Sequence, residues 1–299
     1  MAALTAVLKR FCVVSGGPGT GKTYSAARIL SLLHDQQPDM RVALAAQTGK
    51  AAARLKEAIV QAARDFGMPA PAGDPFTLHR LLGGRPGQYR FRFNRDNRLP
   101  YQAVIVDEAS MADIALMAKL ISALPDAGRL ILLGDRDQLA SVEAGAVLGD
   151  ICDAGVRHRF SPAHARAVRE LAGVTVEADP AGAGPAIRDC VVVLRQVYRT
   201  GAGSHIGPLA ECVNAGDGAE ALARLKEGKP DIRWAPIPPL NAREKSLREV
   251  VIESCGSHFA AGDPAEALAR LSRFRILCAH RVGAYGSEQI NEAVRGILA

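Results

Sequence analysis

The chain has 299 residues, and its 37 lysines and arginines outnumber its 31 aspartates and glutamates, giving a net charge of +6 that permits a nucleic-acid partner without requiring one. Because 48% of the residues are hydrophobic, the chain can build a sizeable core, and global disorder is excluded. No apolar run reaches the roughly 18–20 residues of a membrane span, and the apolar stretch at the N-terminus is too short for a signal peptide.

Short apolar runs alternate with helical patterns through the first half of the chain. Strands are predicted at residues 11–14, 42–46, 103–106 and 130–133. Helices are predicted at residues 21–34, 50–66 and 111–124. Regular alternation of apolar strands with helices is typical of a parallel sheet that is covered on both faces. We therefore predict the α/β class.

Two regions interrupt this alternation. Residues 78–102 contain arginines that alternate with phenylalanines and then an asparagine-rich turn, which predicts an inserted hairpin. Residues 156–190 are rich in Ala, Gly, Pro, His and Arg, and we predict that they form a linker or insertion between two domains. A new apolar run begins at Val191, where we place the start of the second domain.

The cysteines show no metal-binding or redox spacing. None lies in a C-x-x-C pair, and none has a histidine at the spacing of a zinc ligand. We expect buried apolar thiols in a reducing compartment, because free cysteine is among the most buried residue types. These residues are Cys12, Cys152, Cys190, Cys212, Cys255 and Cys278.

A phosphate-binding motif follows the first predicted strand and opens the first helix. Residues 16–23 are GGPGTGKT, which fits the G-x-x-x-x-G-K-[ST] pattern of a P-loop. The glycines let backbone N–H groups surround a phosphate, and the helix N-terminus adds partial positive charge. We expect Lys22 to reach the β- and γ-phosphates of ATP, and Thr23 to hold Mg²⁺. The predicted ATP-binding residues are Gly17, Pro18, Gly19, Thr20, Gly21, Lys22, Thr23 and Tyr24.

Polar side chains follow the third and fourth predicted strands. Asp107 and Glu108 come directly after one of them, and an Asp-Glu pair at a strand end would be unremarkable without the P-loop upstream. With that loop, we expect Asp107 to complete the Mg²⁺ shell and Glu108 to polarise the attacking water. Gln138 lies in the loop after the next strand and is predicted to contact the γ-phosphate or that water.

The arginine-rich segment at residues 80–98 has two interpretations. The segment contains six arginines and only one acidic residue, Asp96, and Phe91 and Phe93 lie among the arginines. The segment could contact phosphates and stack on bases of single-stranded DNA. Alternatively, the two aromatic rings pack on a small core while the arginines are solvated. The residue pattern leaves both open.

Taken together, the motifs resemble those of superfamily 1 DNA helicases, and most closely the RecD type, the alpha subunit of exodeoxyribonuclease V. The strings GGPGTGKT, VIVDEASM and LLGDRDQLASVEAG occur in the order found in that family. QTGKAA at 47–52 is similar to its motif Ia, FTLHRLL at 76–82 to its T-x-H-x-x-L motif, and LRQVYR at 194–199 to its motif IV. The resemblance spans nearly the whole chain.

This resemblance implies an ATP-dependent helicase or translocase that couples ATP hydrolysis to movement on single-stranded DNA in recombinational double-strand-break repair. It implies a P-loop NTPase fold, with a first RecA-like domain at residues 1–155 and a partial second one at residues 191–299. Arg199 takes the position of the family's arginine that reaches the γ-phosphate from the second domain. RecB-like and RecC-like subunits are candidate partners, and a bacterial cytoplasmic location is expected. The implied DNA-binding residues are Thr48, Gly49, Lys50, Thr77 and His79.

The chain also departs from the family pattern. The T-x-H-x-x-Q-G core of motif V and the V-T-R core of motif VI do not occur, and residues 1–10 contain no glutamine that could read adenine. These departures predict a central fragment of a RecD-type protein. They also leave an alternative open, in which the chain is a nucleotide- and DNA-binding interaction subunit without motor activity. A P-loop kinase of small molecules is a weaker third possibility, which the TGKAA and T-x-H-x-x-L segments oppose.

Overall fold

The chain divides into two compact units, Met1–Leu222 and Ala223–Ala299. The computed structural model describes residues 1–65, 67, 73–85, 90–138, 146–156, 159–179, 184–198, 203–256, 262–271 and 273–298. Within these residues, no helix combines the length and the hydropathy that crossing a membrane requires. All six cysteines are free thiols, and three of them, Cys12, Cys152 and Cys255, are buried as predicted, while the other three are partly exposed.

The first unit is built on a six-stranded sheet in which every strand pairing is parallel. The order across the sheet is β3-β2-β4-β5-β1-β6, so β1 lies between β5 and β6. The predicted α/β class with a parallel sheet is therefore confirmed. The strands are β1 Phe11–Gly16, β2 Val42–Ala46, β3 Phe76–Thr77, β4 Ala103–Asp107, β5 Arg129–Gly134 and β6 Val191–Leu194.

Helices cover the sheet and form the described part of the second unit. Two 3-10 helices, Ala109–Met111 and Ala186–Cys190, precede α5 and β6. The helices that begin in the first unit are α1 Ala2–Leu8, α2 Lys22–Gln36, α3 Gly49–Asp65, α4 Leu78–Leu81, α5 Ile114–Ala123, α6 Val147–Val156, α7 Pro162–Ala172, α8 Ile206–Asn214 and α9 Gly218–Lys226. Those of the second unit are α10 Leu240–Cys255, α11 Pro264–Leu271 and α12 Ser287–Leu298.

The core lies on both faces of the sheet, because successive strand residues point in opposite directions. Val13 of β1 packs with residues of α4, α5 and α6 on one face. Its neighbours Cys12 and Val14 pack with α1, α2 and α3 on the other. A strand that is buried on both faces reads as a continuous apolar run, which explains why the sequence pattern located these strands well.

The insertion at residues 78–102 differs from the predicted hairpin. Its described residues form α4 and then a bend-rich loop, with no strand among them. Asn94 closes that loop, since its Oδ1 accepts from the backbone N–H of Asp96 at 2.8 Å and of Asn97 at 3.2 Å. The Asn94 side chain takes backbone N–H groups that a hairpin would pair with a neighbouring strand. It therefore stabilises a turn, which is why the predicted hairpin does not form.

The aromatic residues of this insertion pack on the core. Phe91 and Phe93 are partly buried against the cluster that contains Val13. The ammonium of Lys119 lies 5.1 Å from the centroid of the Phe91 ring, and the guanidinium of Arg92 lies 5.2 Å from that of Phe93. Cations over aromatic faces are favourable contacts. Of the two interpretations of residues 80–98, the described geometry therefore agrees with the one in which the aromatic rings pack on a core.

The strand at residues 191–194 belongs to the first sheet. β6 was expected to open the second domain, but Val13 pairs with Val191 and Gly16 with Leu194 along the edge of β1. Among the described residues after Leu194 there is no strand, and the apolar run at 274–278 has no regular structure. The expected start of the second domain at residue 191 is therefore wrong, while a RecA-like domain in the remaining residues stays a prediction.

The segment predicted as a linker is attached to the sheet domain. Ser161 caps α7, and the carboxylate of Asp189 accepts from the Ser161 backbone N–H at 2.8 Å and from its hydroxyl at 2.7 Å. Lys9, just after α1, forms an ion pair with Asp189 at 3.3 Å. His164 on α7 is buried, and its Nε2 lies 3.5 Å from the Thr5 hydroxyl. The described part of residues 156–190 therefore contacts α1 at Thr5 and the residue after it, Lys9.

Candidate active site

The P-loop connects β1 to α2 and is closed by its own hydrogen bonds. Gly19 and Gly21 have φ angles of 78° and 88°, a left-handed conformation that residues with a Cβ rarely adopt. The Thr20 hydroxyl donates to the Gly17 carbonyl at 2.8 Å. The Lys22 ammonium donates to the carbonyls of Gly16 and Gly17, the latter at 3.1 Å. Lys22, the predicted phosphate-binding lysine, therefore lies over the loop that would hold a phosphate.

The chain beyond β6 is bonded to the same loop. A Cβ on Gly16 would come within 3.0 Å of both Cβ and the carbonyl oxygen of Leu194, so only glycine permits this approach. Four residues later in the chain, the backbone N–H of Tyr198 donates to the Gly19 carbonyl at 2.9 Å. The P-loop is therefore held between α2 and the segment that follows β6. Arg199, the predicted γ-phosphate arginine, lies outside the described residues.

Asp107 is the last residue of β4 and Glu108 follows it, so the acidic pair lies at this strand end. Burial raises the pKa of the Asp107 carboxyl, while the Glu108 N–H that donates to its Oδ1 at 2.9 Å and the nearby Lys22 charge oppose that shift. A carboxylate that is costly to ionise in a buried position would be stabilised by a bound cation. Within the described chain, Glu108 is the single residue other than glycine with a positive φ, at 51°.

This backbone conformation gives a testable stability difference. Replacing Glu108 with glycine is expected to raise the free energy of unfolding by about 1 kcal/mol, because the left-handed region costs residues with a Cβ roughly 1–2 kcal/mol. Urea unfolding measures the change. In the matched control, Glu57→Gly on the exposed face of α3, we expect a loss of about 1 kcal/mol, since glycine disfavours helix. A destabilised Glu108→Gly variant would contradict the inferred strain.

The loop after β5 lies against the end of β1. The backbone N–H of Arg136 donates to the buried Ser15 hydroxyl at 3.1 Å, and Asp135 is itself buried beside Gly17. Gln138 ends the described part of this loop, and its Oε1 accepts from the Ser110 hydroxyl at 3.1 Å. The adjacency of β1, β5 and β4 thus brings the predicted catalytic residues to one edge of the sheet. These residues are Lys22, Glu108 and Gln138.

The other predicted nucleotide ligands differ in what surrounds them. Thr23 is half-buried in the first turn of α2. The Tyr24 ring is exposed and its hydroxyl accepts from Arg28 at 3.4 Å. The hydroxyl of Thr23 and the carboxylate of Asp107 are hard oxygen donors of the kind that Mg²⁺ prefers. The described residues contain no group of three or more His, Cys, Asp or Glu side chains that could hold a metal.

The predicted DNA-binding residues lie at the neighbouring ends of β2 and β3. The Thr48 hydroxyl accepts from the Ala51 N–H at 3.2 Å, and the Thr77 hydroxyl accepts from the Arg80 N–H at 3.3 Å. Each threonine therefore caps the helix that follows it, a preference that the sequence could have revealed. Gly49 and Lys50 are exposed.

His79 is also exposed, and its ring centroid lies 5.8 Å from that of Phe91. The ring therefore has a packing contact and an open side. Sequence reasoning assigned no role to Ser15 or Ser110, although both contact the loop after β5. Ser15 follows the apolar residues of β1, which is a weak signal without the fold, and no pattern in the sequence marks Ser110.

A parallel sheet with a phosphate loop after an inner strand and an acidic pair at the end of a nearby strand defines a P-loop nucleotide-binding domain. The family model described as AAA domain matches residues 1–144. The RecBCD enzyme subunit RecD of Mycobacterium tuberculosis is 41% identical over 317 aligned positions, covering 100% of this chain and 48% of that protein. The chain is therefore a RecD homologue, which confirms the relationship that its motifs indicate.

Two further comparisons have lower identity. The ATP-dependent RecD2 DNA helicase of Deinococcus radiodurans is 31% identical, covering 73% of this chain and 28% of that protein. The crystal structure of the Pif1 helicase from Candida albicans superposes with a TM-score of 0.44 and 18% identity, covering 84% of this chain and 52% of that one. The chain spans about half the length of the RecD relative from Mycobacterium tuberculosis.

Proposed function

We propose that this chain is the ATPase part of a RecD-type DNA helicase, which couples ATP hydrolysis to movement on single-stranded DNA. The observation that carries the proposal is the shared sheet edge at which Lys22, Glu108 and Gln138 meet. RecD homology supports the same activity, since a RecD2 relative is named as an ATP-dependent DNA helicase.

Each residue at this edge has a chemical task in the proposed reaction. Lys22 leaves the two P-loop carbonyls and binds the β- and γ-phosphates, where its charge stabilises the transferring group. Glu108 accepts a proton from the attacking water, and Thr23 and Asp107 hold Mg²⁺, which neutralises phosphate charge when bound. Arg199 is proposed to add a second positive charge at the γ-phosphate. Closing and opening around ATP would then move the DNA.

The proposed DNA path crosses the ends of β2 and β3. Thr48 caps the N-terminus of the 17-residue helix α3, where backbone N–H groups favour phosphate, and Thr77 caps the short helix α4 beside it. The exposed Lys50 adds a charge that can pair with phosphate. Gly49 permits close backbone approach, and His79 offers an exposed ring for base stacking.

The names of the relatives suggest which partners and which cellular process to propose for this chain. The Mycobacterium tuberculosis relative is a RecBCD enzyme subunit, so we propose RecB-like and RecC-like partners for this chain. The corresponding process is recombinational repair of double-strand breaks in the bacterial cytoplasm. Sequence identity of 41% across the whole chain supports this assignment.

The proposal is tested by steady-state ATP hydrolysis with and without a single-stranded oligonucleotide. We expect hydrolysis that requires Mg²⁺ and rises severalfold with single-stranded DNA, and the stimulation should fall steeply with salt because phosphate contacts release counterions. A blunt duplex of the same length is the control. Nucleotide binding without hydrolysis would contradict the motor assignment and favour the interaction-subunit alternative, whereas hydrolysis indifferent to DNA would favour another substrate.

A further inference from the structure

A hydrogen bond links two strand-end loops that sequence reasoning treated as separate. Ser110 lies in the 3-10 helix that begins directly after Glu108, and its hydroxyl donates to Oε1 of Gln138 at 3.1 Å. The serine is buried, with 6% of its surface exposed, so water competes little for this bond. The contact therefore joins the loop after β4 to the loop after β5.

The backbone around this contact is built for close approach. A Cβ on Gly134 would lie 2.4 Å from Cδ2 of Leu148 and 3.3 Å from the Ser110 backbone nitrogen, so a larger residue at the end of β5 would clash with Leu148 and crowd the 3-10 helix. The 3-10 helix is in turn held to Glu108, because the Met111 N–H donates to the Glu108 carbonyl at 3.1 Å. Ser110 thus has a fixed position relative to both Glu108 and the end of β5.

The bond fixes how the amide of Gln138 can be used. A glutamine side chain has one acceptor oxygen and an NH₂ group with two donors. Once Oε1 accepts from Ser110, rotation of the amide is restricted and the NH₂ group is the end left for another partner. Within the described part of the chain, Nε2 donates to no protein acceptor. Phosphate oxygens and the attacking water are acceptors that suit these two hydrogens.

We propose that Ser110 is a positioning residue that orients the Gln138 amide, so that its NH₂ group recognises the γ-phosphate of ATP. The inference rests on the proposed function and on the expectation from the sequence that Gln138 contacts that phosphate. The contact would also couple loss of the γ-phosphate to Glu108, because Ser110 connects Gln138 to the 3-10 helix that follows Glu108. No covalent step is assigned to the serine.

The test compares Ser110→Ala, Ser110→Thr, Gln138→Ala and the double variant of the full chain. In the DNA-stimulated reaction we expect Ser110→Ala to lower kcat about 3- to 10-fold, the equivalent of one neutral hydrogen bond, with the KM for ATP nearly unchanged. Ser110→Thr keeps the hydroxyl and should retain wild-type kcat. In the Gln138→Ala background, Ser110→Ala should have no further effect, because its partner is already absent.

A binding measurement keeps the inference falsifiable apart from turnover. Calorimetry gives the affinity for ADP with beryllium fluoride, a γ-phosphate mimic, relative to ADP alone. Ser110→Ala and Gln138→Ala should reduce this preference equally, and thermal unfolding should show that both variants are folded. Multiplying effects in the double variant, or no preference for the mimic in the wild type, would overturn the inference. Absent hydrolysis with an intact, Ser110-dependent preference would instead overturn the proposed function alone.

Discussion

Replacing Lys22 with alanine is expected to lower the rate of ATP hydrolysis about 100-fold or more, since one preorganised charge at a transition state contributes several kcal/mol. The ammonium lies over the P-loop, where it donates to the Gly16 and Gly17 carbonyls. Steady-state hydrolysis with saturating single-stranded DNA measures the effect. Nucleotide affinity should fall as well, because Lys22 is also expected to contact the phosphates of bound ATP before the reaction.

Two controls separate this charge effect from a loss of structure. Lys245→Ala removes an exposed lysine of α10 and should hydrolyse ATP at the wild-type rate. Lys22→Arg keeps the charge but replaces a compact ammonium with a larger planar group, so it should also be impaired. Wild-type turnover by Lys22→Ala would mean that the P-loop of this chain does not bind the reacting phosphates.

Replacing Glu108 with glutamine is expected to lower kcat about 100-fold while nucleotide binding is retained. The substitution preserves size and backbone but removes the carboxylate that accepts a proton from water, and general-base catalysis contributes about 10²–10⁴-fold. The separation of effects follows from position: Glu108 lies one residue beyond the proposed metal ligand Asp107 and outside the P-loop that would hold the phosphates. Single-turnover hydrolysis and a fluorescent nucleotide titration measure the two quantities.

A matched substitution tests whether the loss is local. Glu170→Gln changes an exposed carboxylate on α7 in the same way and should leave kcat unchanged. If Glu108→Gln instead weakened nucleotide binding and kept the rate of the bound complex, Glu108 would be a binding group. The assignment of the general base would then have to move to another acid at the same sheet edge, of which the buried Asp135 is one.

The strands of the first sheet were predictable because their signal is local. β2 occupies the predicted residues, and β1, β4 and β5 extend the predicted runs by one or two residues. A strand that is buried on both faces needs an unbroken apolar run, and few other structures do. The P-loop was predictable for a related reason: the positive φ angles at Gly19 and Gly21 favour glycine, so the requirement is local in the sequence.

The errors arose where structure depends on distant partners. The run at Val191 looks like any strand, and only its pairing with β1 shows which sheet it joins. Phe91 and Phe93 alternate with arginines as in a hairpin, yet Asn94 forms a turn and the rings pack on the core. Ser110 carries no signal in the sequence, because its importance comes from its hydrogen bond to Gln138, which lies 28 residues further along the chain.

The order of the strands has a consequence for the time at which the nucleotide site can form during synthesis. β1 leaves the ribosome well before both of its neighbours, since Phe11 pairs with Leu130 and Val13 with Val191. Such long-range pairing closes large loops and is slow. Until β6 is made, the edge of β1 has unpaired N–H and C=O groups, which can pair with other chains. The strand that carries the most recognisable motif is therefore among the last to be enclosed.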